Sequence, residues 1–157
     1  MKIKLILIGK TKSKFLLDGE NEYIKRLKHY SNFSELIIPY IKTGSKISKK
    51  KIKENEGNMI LNSLTNSDYV ILLDSKGSTL TSIEFSEFLD KKMIFSITRL
   101  VFVVGGAFGF SEEVYKRADS KLSLSKMTFS HQMIRLIFKE QLYRAFTILK
   151  GEKYHHE

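Results

Sequence analysis

Short apolar runs recur along the chain and predict the strands of one sheet. They fall at residues 2–9, 34–40, 68–74, 99–104 and 121–124. Several runs are apolar at successive positions rather than alternate ones, as in strands with both faces covered. Apolar residues at helical spacing predict helices over residues 15–30, 52–64 and 81–93, a short helix from Ser111 and a long last helix. This alternation predicts an α/β fold, a mostly parallel sheet with helices on both faces.

The last helix is apolar on more than one side. One face carries Ile134, Ile137, Phe138, Leu142, Ala145, Ile148 and Leu149 at helical steps. A second strip, made of Met133, Leu136 and Tyr143 with Glu140 among them, lies off that face. A helix with two apolar sides needs a covering beyond its own sheet. The pattern fits a fully buried core helix and a subunit interface equally well.

The chain is strongly basic. Its 157 residues include 27 Lys and Arg against 17 Asp and Glu, a formal net charge of +10. Such an excess favours a polyanionic partner, because neutralised phosphates release counterions, although a lysine-rich composition alone gives the same charge. The densest cluster lies in residues 41–53 and consists of Lys46, Lys49, Lys50, Lys51 and Lys53. We expect a solvated loop there, with a phosphate-contacting arm as the alternative.

Composition excludes several kinds of protein. The chain has no cysteine, which rules out disulfides, thiolate catalysis and Cys-based zinc sites. Its four histidines are not spaced as in a metal motif, so no metal site is predicted. No apolar run is long enough to span a membrane, and no signal-peptide pattern is present. We therefore expect a single cytoplasmic domain over residues 1–157, without membrane association.

Three loops are candidate ligand-binding segments, because ligands of parallel α/β sheets bind beyond the carboxyl ends of the strands. These loops follow Leu73, Val104 and Leu124. The second, which begins GGAFG at Gly105, is neither a dinucleotide-binding GxGxxG motif nor a P-loop. Its glycines allow the backbone to approach a flat ligand closely, and they equally suit a plain tight turn.

Hydroxyl side chains and one histidine surround the predicted start of the last helix. The hydroxyl residues are Ser123, Ser125, Thr128 and Ser130. They fit ordinary N-capping, and they also fit a ligand loop beside free backbone N–H groups. His131 falls in the first turn of the predicted helix, next to that loop.

Two stretches carry a specific resemblance to a known family. They are VFVVGGAFGF and LSLSKMTFSHQMIRLIFKEQLYRAFTILKGEKYH, in which SKMTFxHQMxR combined with EQxYRA is highly specific. With KIKLILIGK and EYIKRLKHY near the amino terminus, essentially the whole chain resembles the RlmH-type methyltransferases of the SPOUT superfamily. The resemblance implies a deep trefoil knot near the carboxyl end and a homodimer. It also implies S-adenosylmethionine (SAM)-dependent methylation of N3 of a pseudouridine in 23S rRNA, on the assembled ribosome.

The same resemblance implies the site residues. The SAM-binding residues are Leu73, Gly105, Leu124, Ser125, Lys126, Met127, Thr128 and Phe129. The substrate-binding and catalytic residues are His131, Arg144, Tyr154 and His155. His156 stands where many family members have arginine. Gly151 suits a left-handed helix terminus, so the tail from Tyr154 is able to fold back onto a site of its own subunit or of a partner.

Methyl transfer from a sulfonium requires mainly an aligned in-line displacement, and it needs no metal. The uracil-type N3–H is a weak acid, so cations such as Arg144, with His131 or His155 nearby, suit stabilisation of its anion. Two other functions compete with this one. The first is a non-catalytic protein that binds rRNA or the ribosome. The second is a nucleotide-cofactor oxidoreductase, which the missing GxGxxG motif disfavours.

Overall fold

The structure is built on one five-stranded parallel sheet. A computed structural model describes residues 1–41, 47–95 and 97–156. Its strands are β1 Lys2–Ile8, β2 Asn32–Ile38, β3 Asp68–Thr79, β4 Arg99–Val104 and β5 Ser120–Ser123. Their order in the sheet is β2-β1-β4-β3-β5, and each neighbouring pair runs parallel. All carboxyl ends therefore meet at one edge, as the sequence predicts.

Helices cover both faces of the sheet. They are α1 Lys14–Leu27, α2 Lys49–Asn62, α3 Ser82–Ile94, α4 Glu112–Arg117 and α5 Met133–Leu149. One core cluster joins the sheet to α1, α3 and α5, and a second joins it to α2 and α4. The predicted α/β fold with helices on both faces is confirmed. Within the described ranges, no helix is long and apolar enough to cross a membrane.

The unbroken apolar sequence of the strands follows from these two layers. Along β1, Leu5 and Leu7 belong to the first cluster, whereas Ile6 and Ile8 belong to the second. All four are at most 1% exposed, because successive side chains of a strand point to opposite faces. An alternating pattern would have left one face of the sheet in water.

Helix α3 begins at a capping box that the spacing of Thr81 and Glu84 predicts. The Thr81 N–H donates to Glu84 Oε2 at 2.7 Å, and the Glu84 N–H donates to Thr81 Oγ1 at 3.1 Å. Both bonds satisfy N–H groups that the first turn of a helix leaves without an intrahelical partner.

The helix predicted over residues 52–64 is confirmed, but the prediction of a loop at Lys49, Lys50 and Lys51 is wrong, since these residues form the start of the same helix, α2. Ser48 caps the helix by accepting a hydrogen bond from the Lys51 N–H at 3.2 Å. Lysines have good helix propensity, and the cap supplies the start signal that the charge cluster obscured. Lys46 lies outside the described residues.

Glycine at position 77 predicts a turn at residues 75–78, after the strand predicted over residues 68–74, but this prediction is wrong because β3 continues to Thr79. Ser78 and Thr79 pair with Leu122 and Ser123 of β5, after a shift of register that follows Leu73. A Cβ added at Gly77 would lie 2.6 Å from the backbone N of Leu122. Glycine at position 77 therefore allows the backbones of β3 and β5 to approach closely, and it does not form a turn.

The second apolar side of α5 is covered by α1 and the turn after it. The ring of Tyr143 lies 5.9 Å from that of Tyr23 and 5.7 Å from that of Tyr30. Leu136 packs against Gly19, where an added Cβ would lie 3.1 Å from its methyl groups. For Leu136 and Tyr143 the covering element is thus part of the same chain, as in the core-helix alternative.

Two buried cations on α5 were not predicted. Phe138, Leu142 and Ala145 are fully buried as expected, but so are Arg135 and Lys139. Lys139 forms an ion pair with Glu20 of α1, and its Nζ lies 2.6 Å from Glu35 Oε1 of β2. Paired carboxylates offset the cost of burying the ammonium group, which would be prohibitive for an isolated charge.

We expect the substitution Lys139→Ala to lower the free energy of unfolding by about 3–5 kcal/mol, because it leaves buried carboxylates without a cation. Denaturant titration followed by circular dichroism measures the loss. The control is Lys14→Ala, which breaks an ion pair with Asp18 whose side chains are 87% and 60% exposed. Solvent screens that pair, so its removal should leave the midpoint nearly unchanged. Similar losses in both variants would contradict the role given to Lys139.

Candidate functional site

A cavity of about 550 Å³ lies beyond the carboxyl ends of β3, β4 and β5. Its wall comes from the three loops that sheet geometry selects. The first loop contributes Leu73, Asp74, Ser75 and Lys76, and the second contributes Gly105, Gly106, Ala107 and Gly109. The third contributes Leu124, Ser125, Met127, Thr128, Phe129, Ser130 and His131. A cavity of this volume is typical of a site for a small organic ligand or cofactor.

The first wall is the irregular part of β3. The register shift after Leu73 releases Asp74, Ser75 and Lys76 from regular pairing with β5 and places them at the cavity. Tyr115 of α4 donates a hydrogen bond to Asp74 Oδ2. Burial, followed by this bond to a carboxylate, raises the pKa of Tyr115 to about 12. The phenol therefore stays protonated and holds the Asp74 carboxylate at the rim of the cavity.

The second wall is the glycine loop, residues 105–109, between β4 and α4. Gly106 and Gly109 form an antiparallel bridge, in which the Gly109 N–H donates to the Gly106 carbonyl at 3.1 Å. Gly109 has φ +79°, a left-handed conformation that glycine adopts without strain. The loop thus presents backbone rather than side chains to the cavity at these two positions.

The third wall is ordered by its own hydroxyl groups. Ser123 Oγ donates to the Ser125 carbonyl at 2.8 Å, and Ser125 Oγ accepts from the Met127 N–H at 2.9 Å. Ser130 Oγ accepts from the Met133 N–H at 3.1 Å and so acts at the start of α5. Local capping explains these serines, and the turns they stabilise shape the loop around the cavity.

His131 lines the cavity but precedes α5, so its predicted place in the first turn of the helix is wrong. Its Nε2 lies 2.8 Å from Tyr40 Oη, and its carbonyl accepts from Arg135 Nε at 3.0 Å. Burial, then repulsion from Arg135 and Lys12, lowers the pKa of His131 below its ordinary value. The imidazole is therefore neutral at pH 7, with its Nε2 against Tyr40 and the backbone of the residue fixed by Arg135.

The other three predicted catalytic residues form a separate cluster. Helix α5 ends at Leu149, Gly151 follows with φ +66°, and the tail then folds back onto α5. Tyr154 Oη donates to Glu140 Oε1 at 3.2 Å, and Arg144 Nη1 lies 3.4 Å from His155 Nδ1. The Arg144 guanidinium also lies over the Tyr154 ring, 4.9 Å from its centroid.

Further contacts hold this cluster in place. Arg144 donates two hydrogen bonds to Glu140 Oε1, at 2.6 and 3.0 Å. Burial, and then hydrogen bonds with Tyr23 and Glu140, raise the pKa of Tyr154 well above its ordinary value. The fold-back predicted for Tyr154 and His155 is therefore present within one chain, whereas Glu157 lies outside the described residues.

The structure separates the two groups along α5. At 1.5 Å per residue, the helix places Arg144 roughly 16 Å beyond Met133 along its axis. His131 lies before Met133, whereas Tyr154 and His155 pack around Arg144. Within one chain the four predicted catalytic residues do not form a single cluster.

Seven of the eight predicted SAM-binding residues line the cavity, and Lys126 does not. Sequence reasoning missed Asp74, Ser75 and Lys76, although they directly follow Leu73 and sheet logic points to that loop. It also missed Tyr40, which reaches His131 from the segment after β2 and has no motif to mark it. Among the described residues, no group of three or more His, Asp or Glu side chains has the arrangement of a metal site.

We expect Lys12→Gln to raise the pKa of His131, because one of the positive charges that lower it is removed. The backbone bond from the Lys12 N–H to Gln132 Oε1, 2.9 Å, does not depend on the side chain. NMR titration of the His131 ring protons measures the shift. Lys10→Gln is the matched control, since the exposed Lys10 is not among the groups that lower this pKa. An unchanged or lower pKa in Lys12→Gln would refute the electrostatic cause.

Known proteins match essentially the whole length of the chain. The family model described as "Predicted SPOUT methyltransferase" matches residues 1–155. A protein of Parabacteroides distasonis is 57% identical over 157 residues, with 100% of both chains covered. One of Christiangramia forsetii is 56% identical over 156 residues, with 99% of each covered. Both relatives carry the name Ribosomal RNA large subunit methyltransferase H.

A solved structure shares the fold at much lower identity. It is a probable methylase family protein from Haemophilus influenzae Rd KW20, with a TM-score of 0.53 and 12% identity, and the match covers 97% of this chain and 67% of that one. The RlmH-type resemblance drawn from the sequence motifs is confirmed. By the match of the family model and the identity of its relatives, the chain belongs to the SPOUT methyltransferase family.

Proposed function

We propose that the protein methylates N3 of a pseudouridine in 23S rRNA of the assembled ribosome, with SAM as methyl donor. The observation that carries the proposal is the cavity where the glycine loop and the Leu124–His131 loop meet beyond the strand ends. The whole chain acts as a single methyltransferase domain, in the cytoplasm where its ribosomal substrate is found. Family membership and the names of the full-length relatives support this assignment.

The residues of the cavity suit SAM. A volume of about 550 Å³ accommodates a nucleoside with its amino-acid arm. Gly105 and Gly106 allow the backbone to approach a flat base, and Leu73, Leu124 and Phe129 offer apolar contacts. Bound SAM would supply an activated methyl group on a positively charged sulfur.

The remaining task of the protein is to stabilise the N3 anion and to align it. Arg144 is the cation for this role, and its two hydrogen bonds to Glu140 fix the plane of the guanidinium. Tyr154 and His155 complete a polar surface around it. His131 is neutral and lies at the cavity rim, at the opposite end of α5 from Arg144. There it orients the base, and its Nε2 either carries a proton or accepts one.

A homodimer reconciles this chemistry with the geometry of one chain. His131 and the cavity lie at one end of α5, while Arg144 with the tail lies roughly 16 Å along it. A second copy with its helix turned around would bring its Arg144, Tyr154 and His155 to the first copy's His131. The target base would then bind between subunits.

The positive charge of the chain suits an rRNA partner. The formal net charge is +10, and the exposed lysines at the start of α2 form its densest cluster. Neutralised phosphates release counterions and so provide affinity without sequence readout. Recognition of the particular pseudouridine then falls to the residues around the base.

Isothermal titration calorimetry with SAM, and with NAD as comparison, tests the cofactor assignment. We expect SAM alone to bind, and Gly105→Val to weaken binding by at least about tenfold, equivalent to 1.4 kcal/mol. An added Cβ would lie 3.1 Å from the Phe110 ring, so valine pushes into the cavity wall. Circular dichroism verifies that the variant is folded. Unaltered SAM affinity in a folded Gly105→Val variant would refute the placement of SAM in this cavity. A wild-type protein that does not bind SAM would favour a non-catalytic rRNA-binding role.

Subunit hybrids test the shared site. His131→Ala and Arg144→Ala homodimers should each lack methyl transfer to ribosomes. A hybrid of the two retains one complete site if His131 acts with Arg144 of the partner, and it should recover about half of the wild-type activity. Two differently tagged, co-expressed subunits allow its purification.

The matched control is a hybrid of Arg144→Ala with a chain that lacks residues 154–157. Because Arg144 and the tail lie together in one chain, this hybrid has no complete cluster and should stay inactive. Activity in the control but not in the test hybrid would overturn the arrangement. A wild-type protein that sediments as a monomer at micromolar concentration would contradict the dimer itself.

A further inference from the structure

Glu56 of α2 is a buried carboxyl group at the back of the glycine loop. Glu56 is 5% exposed, and its Oε2 has no hydrogen-bond partner among the described residues. Burial raises the pKa of Glu56 above its ordinary value. An unpartnered buried polar group is costly, so its presence calls for an explanation.

The carboxyl group lies against Gly106. A Cβ added at Gly106 would lie 2.5 Å from Glu56 Oε2 and 3.0 Å from both Oε1 and Cδ. The backbone of Gly106 itself would tolerate alanine, since the described glycines with positive φ are Gly9, Gly109 and Gly151. The space for a side chain at position 106 is therefore limited by the Glu56 carboxyl group behind it and not by the backbone conformation of Gly106.

The neighbouring residue brings α2 equally close to the end of the same segment. A Cβ added at Gly57 would overlap Ser111 Oγ, the group that caps α4 by accepting from the Val114 N–H at 3.4 Å. Glu56 and Gly57 thus contact both ends of the segment from Gly106 to Ser111. This contact also explains why a helix carries glycine in its interior, where propensity disfavours it.

Gly106 separates Glu56 from the cavity. Gly106 lines the cavity, whereas Glu56, which its Cβ direction meets, is not among the residues that line it. A wall made of glycine backbone has no side chain to hold its position, so its position depends on what supports it from behind.

We propose that Glu56 is a positioning residue of the cofactor site: its carboxyl group fills the space behind Gly106 and so fixes the glycine loop that forms the cavity wall. The inference rests on the proposed function, because it takes the cavity to be the SAM site. Glu56 does not touch the cofactor and acts through Gly106.

A double-mutant cycle tests the proposal with SAM as the probe in calorimetry. Gly106→Ala should weaken SAM binding by about tenfold or more, because the added Cβ must displace either the carboxyl group or the loop. Glu56→Ala should weaken it less, by leaving the loop without support. The double variant Glu56→Ala/Gly106→Ala should bind SAM more tightly than Gly106→Ala alone, since the new methyl group occupies the space that the carboxyl group vacates.

Gly109→Ala is the matched control. A Cβ at Gly109 meets no atom within 4 Å, and its cost comes from φ +79° alone. Glu56→Ala should therefore give no rescue of Gly109→Ala. Rescue of both glycine variants would show a general loosening of the fold and would overturn the proposal.

The outcomes separate the inference from the cofactor assignment. SAM binding by the wild type, without rescue in the double variant, refutes the role of Glu56 and leaves the SAM site intact. No SAM binding by the wild type refutes the cofactor assignment. The thermal unfolding midpoints of the same variants then still report whether the carboxyl group and residue 106 compete for space. If Gly106→Ala does not fold, recovery of folded protein in the double variant counts as rescue, and its failure counts against the proposal.

Discussion

The candidate site depends on one buried guanidinium group. Arg135 is fully buried, and it donates to the carbonyl oxygens of Ile8 and Gly9 at 2.6 and 2.7 Å and to that of His131 at 3.0 Å. Three carbonyls from two distant segments thus share one rigid, planar donor. The carboxyl end of β1 is thereby fixed to the start of α5, where the cavity loop ends. A lysine would present a single point charge and would not hold both segments in one plane.

Physical regularities made much of the fold predictable. The continuous apolar runs required a sheet covered on both faces, and parallel strands placed three loops at one edge. Those loops surround the cavity. The errors fell where local signals conflicted. The lysines after Ser48 resembled a solvated loop but form a capped helix, and Gly77 resembled a turn but serves a close contact between β3 and β5.

Other features could not be predicted, because they depend on partners far away in sequence. Helical periodicity does not decide whether Lys139 faces solvent or the core. Its burial depends on the ion pairs with Glu20 and Glu35, which lie far away in sequence. Glu56 likewise looks like a surface residue of a charged helix until Gly106 is placed against it. The knot of the family is even harder to predict from local patterns, because it is a property of the path of the whole chain and topology rules disfavour it.

The length of α5 sets the strongest constraint on the chemistry. A helix is a rigid spacer, with its residues fixed at 1.5 Å intervals, and no side-chain rotation closes roughly 16 Å between its first turn and Arg144. The tail does not bridge this gap, because Tyr154 and His155 pack around Arg144 and Glu140 rather than towards His131. One chain therefore presents a cavity with a neutral histidine at one end of the helix and the cluster of Arg144, Tyr154 and His155 further along it. If one base is to contact both, the second group must come from another copy. Under the proposed function, dimerisation would then be required by the geometry of the site, independent of any stability gained by covering apolar surface.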